Sequence, residues 1–367
     1  MAVKSSGTFL KFSEIASEFS DSQPHQMSEF TRGGSLVPDN GSNANITSVA
    51  ARAGGGADGE MKFSDYYGAA NTFGITIASN ATDVDLATLM NAAQSGVWAS
   101  SEAKTLTINS GVIVGATSVS NAALTITSGM GGTLTIINNG AIQGAGGSAN
   151  GGNGGDAVQA SSSNVTFTNN GDIYAGGGGG GQGGAGGTGG QGSVTTTSYI
   201  GLAIACCGNT CDFNLICQNY HGNSNAYCGA STTQFAVRQC VPFLRGTCNN
   251  CAVDSTTINN GGSGGSGGSG GVGQGYNQSA GSGSAGAAGS AGGTNAGAGG
   301  SGGTGGNGGS FGTSGSSGAT GNTGANGNHS NGSAGSGGSG GGAAGDYISG
   351  LSNLTFTNNG NVAGTTS

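Results

Sequence analysis

The stretch GAGGSGGTGGNGGSFGTSGSSGATGNTGANG, residues 297–327, carries glycine at every third position without a break. The residues between these glycines are small and mostly polar. The same period recurs in three further blocks, residues 177–192, 261–273 and 332–341. A period of three is typical of a left-handed helix with three residues per turn, as in polyproline II and collagen. Collagen also needs abundant proline, whereas this chain has 3 prolines and none lies in a glycine block.

The glycine period therefore predicts polyglycine II helices, whose bare backbone edges allow close approach and amide hydrogen bonds between neighbours. A straight rod of residues 297–327 would be roughly 96 Å long at about 3.1 Å per residue, with no internal hydrogen bonds. We therefore expect the blocks to fold back into packed bundles of shorter helices. The alternative is a flexible Gly/Ser coil, which the high entropy cost of ordering glycine favours.

The composition excludes several functional classes. Of 367 residues, 85 are glycine and only 7% are charged, with a formal net charge of −8. With 8 Lys and Arg residues the chain has no basic patch for phosphate, so we predict no nucleic-acid partner. Its apolar runs are shorter than the roughly 20 residues that a membrane helix needs, so we predict no membrane insertion.

A near-duplicated segment marks the N-terminal region. Residues 9–15 (FLKFSEI) parallel residues 61–67 (MKFSDYY), and both place a serine and an acid after an aromatic residue. Serine favours a helix N-cap and an acid favours the first turn, so two short helices are predicted around the polar loop 33–59. We interpret the region as a segment that orders on a larger assembly; the alternative is a frayed tail.

Residues 71–100 predict one strand and one helix. Phe73–Ala78 alternates apolar and polar residues, as a strand does. Asp83 is predicted to cap a helix over 84–94, and Trp98 is predicted to fill the core behind it.

A repeated strand motif then dominates. An alternating strand followed by Asn-Asn-Gly or Asn-Ser-Gly favours positive φ and a tight turn. Its irregular spacing predicts a mostly β fold, with the strands in a stack like a β-helix or β-prism. Residues 175–348 are then one insertion between two adjacent coils. The four full copies and one shorter copy are residues 106–113, 134–142, 165–173, 354–362 and 124–127.

All eight cysteines fall within residues 193–257, which predicts a small disulfide-rich insertion. Eight cysteines allow many pairings, so none is assigned. Zinc is the alternative, because Cys248 and Cys251 have ligand spacing; free thiols are a third. The disulfide candidates are Cys206, Cys207, Cys211, Cys217, Cys228, Cys240, Cys248 and Cys251.

The same module carries aromatic residues and two arginines, which are favoured at binding surfaces. Phe213, Phe235 and Phe243 are also suited to a small core. The candidate receptor-binding residues are Tyr199, Tyr220, His221, Tyr227, Arg238 and Arg245.

Signals for catalysis are missing from the sequence. His25, His221 and His329 lie in three separate regions, and none has the spacing of a metal site or a catalytic triad. The chain is therefore predicted to be non-enzymatic, without a cofactor or a metal.

Three features together resemble the structural proteins of tailed phages, including cyanophages. They are the N-terminal motif pair, the strand–Asn-Asn-Gly–glycine unit at 134–147, and the glycine blocks, which are similar to the polyglycine II sandwich of tail-fibre adhesins. The resemblance implies a virion component, made in the host cytoplasm, that attaches to baseplate or tail proteins by its N-terminus. It also implies recognition of a host-surface glycan or outer-membrane protein, and favours a homotrimer. The implied attachment residues are Phe12, Ser13, Phe63, Ser64, Tyr66 and Tyr67.

The cysteine module has no counterpart in that family, so the receptor contact need not lie at the usual glycine-loop tips. A purely structural tail or baseplate protein and an ice-binding or cell-wall protein are the alternatives. The predicted divisions are 1–70 for attachment, 71–174 for the shaft, 175–192 for a glycine arm, 193–257 for the cysteine module, 258–348 for the polyglycine II region and 349–367 for the final coil.

Overall fold

The computed structural model describes residues 72–205, 226–228 and 247–367 continuously. Nearer the N-terminus it describes residues 3, 9–19, 21, 29–33, 36–37, 43, 45–48, 61–67 and 69. In this part of the chain strands greatly outnumber helices, so the prediction of a mostly β protein with short N-terminal helices holds at that level.

The duplicated N-terminal motifs form helix α1 (Phe12–Glu18) and a single 3-10 turn (Phe63–Tyr66). Both begin two residues earlier than predicted, because the N-caps are Lys11 and Lys62 rather than Ser13 and Ser64. The backbone N–H of Lys11 donates to Glu14 at 2.8 Å, and that of Lys62 donates to Asp65 at 3.0 Å. The acid in the first turn was therefore predicted correctly, whereas the serine caps were wrong.

The central unit is a three-sided stack in which every coil passes once through each of three parallel sheets. The first sheet contains β1 (Thr72–Ile77), β4 (Ala103–Ile108), β7 (Leu134–Asn138), β10 (Val165–Asn169) and β16 (Leu354–Asn358). The second contains β2 (Ala81–Thr82), β5 (Ile113–Gly115), β8 (Ala141–Gln143), β11 (Asp172–Tyr174) and β17 (Asn361–Ala363). The third contains β3 (Val84–Asp85), β6 (Leu124–Ile126), β9 (Val158–Ala160), β15 (Asp346–Ser349) and β18 (Thr365–Thr366).

Equivalent residues of successive coils stack in register and fill the core. Leu106, Ile136 and Phe167 lie in one row of the first sheet and are fully buried. Phe356 closes that row with an edge-to-face contact to Phe167 at 5.7 Å. The shorter copy, residues 124–127, lies in the third sheet, so it is not equivalent to the other four.

Helix α2 (Leu86–Ala93) follows the first coil. Its N-cap is Asp85, whose Oδ1 accepts a bond from the Thr88 N–H at 2.7 Å. The predicted cap, Asp83, instead occupies the corner between β2 and β3 with a φ of 49°. The prediction for Trp98 is confirmed, because this ring is 4% exposed and its Nε1 donates to the Ser128 carbonyl at 3.2 Å. Trp98 belongs to a 3-10 turn, Val97–Ala99, and another 3-10 turn, Leu351–Asn353, precedes β16.

The Asn-Asn-Gly corners are held by asparagine ladders rather than by positive φ. Asn138 donates to Asn169, and Asn169 donates to Asn358, both at 2.7 Å. Among the described copies only Gly111 of the Asn-Ser-Gly variant has a positive φ, of 79°. In the Asn-Asn-Gly copies, glycine is required by the close stacking of coils. A Cβ on Gly171 would lie 2.0 Å from the carbonyl oxygen of Gly140 in the coil below. The predicted reason for these glycines was therefore wrong.

One corner of the stack, between the second and third sheets, receives all the glycine-rich insertions. It contains only Asp83 in the first coil, but residues 116–123 in the second, 144–157 in the third and 175–345 in the fourth. The largest insertion therefore interrupts the fourth coil, between β11 and β15. The prediction that it separates two coils was wrong. It ends at 345 because β15 pairs with β9 and β18 in the third sheet.

Within these insertions the glycine-rich segments run side by side as extended rods. Backbone hydrogen bonds join neighbouring rods at every third residue, such as Gly180 N to Gly271 O and Gly183 N to Gly268 O, both at 2.8 Å. The stretch 297–327 makes two antiparallel rods, because it reverses at Phe311 and Gly312 (φ 65°). We number eight rods along the chain as rod 1 (144–148), rod 2 (151–156), rod 3 (176–191), rod 4 (261–274), rod 5 (281–292), rod 6 (297–309), rod 7 (315–327) and rod 8 (330–345).

Between rods 3 and 4 the chain forms an antiparallel sheet, with β14 (Thr247–Asn259) between β12 (Gly192–Ala205) and β13 (Ala226–Cys228). Long pairing of β12 with β14 makes a ribbon that starts directly at the rods. In the described part of the chain, no helix has the length and apolar character needed to cross a membrane.

Candidate functional site

Rod 3 is the axis of the rod array. It forms backbone hydrogen bonds with six other rods, namely rods 1, 2, 4, 6, 7 and 8. Residues 176–181, which lie beside the short rods 1 and 2, are all glycine. Beyond those short rods every third position carries a side chain, beginning with Gln182 and Ala185. Rod 3 is therefore all glycine where other rods surround it on every side, and it carries side chains where one side is open.

Serines replace the missing neighbours along the outer part of rod 3. The amides of Gln182 and Ala185 donate to the hydroxyls of Ser339 and Ser336, both at 2.7 Å. Ser333 accepts from Thr188 N in the same way at 2.8 Å. A side-chain hydroxyl thus satisfies each backbone amide that no further rod covers, so the array can end there without leaving amides unpaired.

The far end of the rods carries the ribbon. Rod 3 starts next to β11 in the stack and ends at β12, about 46 Å away at about 3.1 Å per residue. The rod turns near Asn295 and Asn328 lie at this same end. Ser193 N donates to Asn328 Oδ1 at 2.7 Å, and the side chain of Asn295 donates to the Ser193 carbonyl at 3.0 Å.

On the other strand, Asn259 Nδ2 donates to the Thr294 carbonyl at 3.0 Å. We call Asn259, Asn295 and Asn328 the asparagine collar, because together they fix the root of the ribbon. Sequence analysis did not single out these residues. The sequence did contain one indication of their role, because Asn295 and Asn328 lie where the three-residue glycine period is interrupted.

Two of the predicted receptor-binding residues lie on the ribbon. Tyr199 of β12 and Tyr227 of β13 both pair with Ala252 of β14. The structure therefore brings these two positions into one row of the sheet. Tyr220, His221, Arg238 and Arg245 lie outside the described residues.

Three predicted disulfide candidates also lie on these strands. Cys228 pairs directly with Cys251, and Cys248 lies opposite Ile204. Among the residues that the structure describes, no group of His, Cys, Asp or Glu is arranged to hold a metal ion. The remaining candidates, outside the described residues, are Cys206, Cys207, Cys211, Cys217 and Cys240.

The predicted attachment residues come together at the N-terminus. Phe12 and Phe63 make an edge-to-face contact at 5.9 Å, and Ser13 and Ser64 beside them are exposed. Tyr67 is half-buried. Tyr66 is fully buried and donates from its hydroxyl to the Phe30 carbonyl at 2.7 Å, so it belongs to the core beneath this surface.

Two carboxylates meet where the chain returns from the rods to the stack. Asp156 Oδ1 accepts a hydrogen bond from the Asp346 backbone N–H at 2.8 Å. Burial raises the pKa of Asp156 and the charge of Asp346 adds to the rise, whereas the hydrogen bond opposes it.

The raised pKa of Asp156 predicts a pH-dependent stability. A carboxyl whose pKa is higher in the folded state contributes stability that is full below its unfolded pKa of about 3.9 and is lost as pH rises through the folded value. We expect Asp156→Asn, which keeps the accepting Oδ1, to unfold at higher denaturant than wild type at pH 7. The advantage should disappear at about pH 3, below the unfolded pKa. Denaturant titrations of both proteins at the two pH values measure the unfolding midpoints. A midpoint difference between variant and wild type that is the same at both pH values would contradict the prediction.

Residues 72–238 match the family model of the phage tail fibre adhesin Gp38. The matched residues include the first three coils of the stack, strands β10 and β11 of the fourth, rods 1 to 3, and strands β12 and β13. The resemblance to tail-fibre receptor-binding proteins predicted from the sequence is thereby confirmed. Such adhesins belong to the virion tail and act beside other tail proteins.

One solved structure is also similar, the gp37–gp38 adhesin tip complex of the bacteriophage S16 long tail fibre. The identity is 16% with a TM-score of 0.33, over 80% of this chain and 82% of that chain. No curated protein matches this chain.

Proposed function

We propose that this protein is a non-enzymatic phage tail-fibre component that recognises a host-surface receptor through its distal glycine-rich and cysteine-rich region. The observation that carries the proposal is the position of the ribbon. It leaves the rod array at the end farthest from the stack, and the asparagine collar holds its root. A binding module placed there reaches a cell surface before the rest of the chain does.

In this proposal the stack is a β-helix-like shaft and the rods are polyglycine II helices. Because rod 3 bonds to six neighbours, the array is a stiff support, whereas a Gly/Ser coil would let the module swing freely. Disulfides among the eight cysteines would stabilise a module too small to hold itself by a core. They would form after release from the reducing host cytoplasm.

The opposite end of the chain docks to the virion. Phe63 is 43% exposed beside Phe12, which offers an aromatic surface to a baseplate or tail protein. A homotrimeric arrangement would multiply weak receptor contacts by avidity.

The test removes the module and keeps its support. Val194 and Thr257 are directly paired, so replacing residues 195–256 with Asn-Gly closes the ribbon with a two-residue turn. We expect the shortened protein to keep its thermal transition but to lose host-cell binding and competition with phage adsorption. The intact protein in the same assay is the control.

Two outcomes would contradict the proposal at different points. Equal binding by both proteins would move recognition to the rod turns. If neither protein binds cells while both enter virions, the chain is a structural tail or baseplate protein.

A further inference from the structure

A groove lies on the outer face of the first sheet and crosses the third, fourth and fifth coils, where β7, β10 and β16 begin. Its volume is about 470 Å³, which is a usual size for a ligand site. Two rows of polar side chains line this threonine groove. One row stacks in the strand register and consists of Thr135, Thr166 and Thr355. The other row precedes the strands and consists of Thr133, Asn164 and Asn353.

These side chains are accessible and offer hydrogen-bonding groups. All of them are exposed except Thr135, which is half-buried. Within the described part of the chain, the hydroxyls of Thr135, Thr166 and Thr355 form no hydrogen bond to another protein group. Because neighbouring coils are about 4.8 Å apart, each row repeats its polar groups at that interval.

The preference of β-branched residues for strands does not by itself explain the threonine row. The second sheet shows this, because its first outward row changes residue type at every coil. That row consists of Ile113, Ala141, Asp172 and Asn361. In the first sheet the corresponding outward row is threonine in every coil from the second to the fifth. It consists of Thr105, Thr135, Thr166 and Thr355.

The composition of the groove selects among ligand classes. None of the described residues that line it is charged. Leu134 and Val165 are buried beneath the rows, and only Leu354 is half-buried at the last coil. An ionic ligand therefore finds no opposite charge, and a protein partner finds neither an aromatic nor an arginine anchor. Sugar hydroxyls both donate and accept, so they suit a surface of hydroxyls and amides.

We propose that the threonine groove binds an uncharged, linear polysaccharide, with successive sugars beside successive coils. The site lies on the stack and not in the distal region, so the inference goes beyond the proposed function. Hydrogen bonds to a sugar replace bonds to water, and each contributes little. We therefore expect millimolar affinity, too weak for one groove to hold washed cells but useful beside a second contact through avidity.

NMR of the full-length protein with labelled threonine methyl groups tests the proposal. The probes are three neutral hexasaccharides, cellohexaose, maltohexaose and chitohexaose, each titrated to about 10 mM. At least one should shift the methyl resonances of Thr135, Thr166 and Thr355. The resonance of Thr76, which is exposed in the first coil outside the groove, should not move.

Three variants connect the binding to the groove. Thr166→Val and Thr355→Val remove a hydroxyl but keep the side-chain shape, so each should weaken binding about 5-fold with an unchanged thermal transition. Asn164→Gly should also weaken binding, and glycine tolerates the φ of 61° at this position. Thr76→Val is the matched control and should bind as wild type does.

Two results would overturn the assignment. The first is that none of the hexasaccharides shifts the groove resonances. The second is a sugar affinity that is unchanged in Thr166→Val, Thr355→Val and Asn164→Gly, which would place the site elsewhere on the chain.

The shortened protein, with Asn-Gly in place of residues 195–256, separates this site from the proposed function. It should bind the hexasaccharide as the intact protein does. Loss of sugar binding in the shortened protein would assign the sugar to the distal module and overturn the groove. If both proteins bind the sugar but the intact protein does not bind host cells, the groove stands and the proposed function fails.

Discussion

Gly183→Ala is expected to disrupt the rod array. A Cβ at this position would lie 2.1 Å from the Gly303 carbonyl oxygen, and that contact is with backbone that belongs to rod 6. Rod 3 would have to move away, which would stretch the 2.8 Å bonds from Gly183 N to Gly268 O and from Gly303 N to Gly184 O. We expect a loss of about 3 kcal/mol in the free energy of unfolding, at the upper end for overpacked sites.

Gly340→Ala in rod 8 is the matched control. Nothing lies within 4 Å of a Cβ at this position. The change should be neutral or stabilising by about 0.4–1 kcal/mol, because alanine restricts the unfolded chain. Guanidinium titration and limited proteolysis of the rods compare the two variants. Equal stability of both would mean that the rods are not packed through glycine contacts.

Asn169→Ala is expected to have the second large effect. Asn169 is fully buried; it accepts from Asn138 and donates to Asn358, both at 2.7 Å. It also accepts from Gly171 N at 3.3 Å. Alanine would leave a buried amide donor of Asn138 unpaired, and an unsatisfied buried group costs about 1–3 kcal/mol. With the other lost bonds we expect about 3 kcal/mol of destabilisation.

The neighbouring ladder provides the control for this change. Asn170 makes the equivalent bond to Asn139 at 3.0 Å, but it does so in an exposed position where water can replace the partner. Asn170→Ala should therefore cost less than about 1 kcal/mol. Thermal unfolding followed by circular dichroism measures both variants. A cost for Asn170→Ala as large as that for Asn169→Ala would show that burial does not set the value of the ladder.

The repeated strands could be predicted because each copy contains both its hydrophobic alternation and its corner. The motif at 165–173 accordingly became β10 and β11, and the motif at 354–362 became β16 and β17. The sequence could not assign copies to sheets, because Leu124-Thr125-Ile126 has the same alternation as a strand of the first sheet. Pairing between coils decides that assignment, and it depends on residues far apart in the chain.

The candidate site was predictable in composition but not in arrangement. Tyr199 and Tyr227 stood out as aromatic residues in a polar module, but nothing local places both opposite Ala252. Asn259 of the asparagine collar was missed because a single polar residue in a strand carries no pattern. Its contact with the Thr294 carbonyl became visible only in the fold, because the two residues are 35 positions apart in the chain.

The rods have a further consequence in terms of heat capacity. Their contacts join peptide groups, so unfolding them exposes mainly polar surface. Exposure of polar surface lowers the heat capacity, whereas exposure of apolar surface raises it. The glycine insertion should therefore contribute little to the curvature of stability with temperature, and it should keep its stiffness in cold water, where a hydrophobic core weakens.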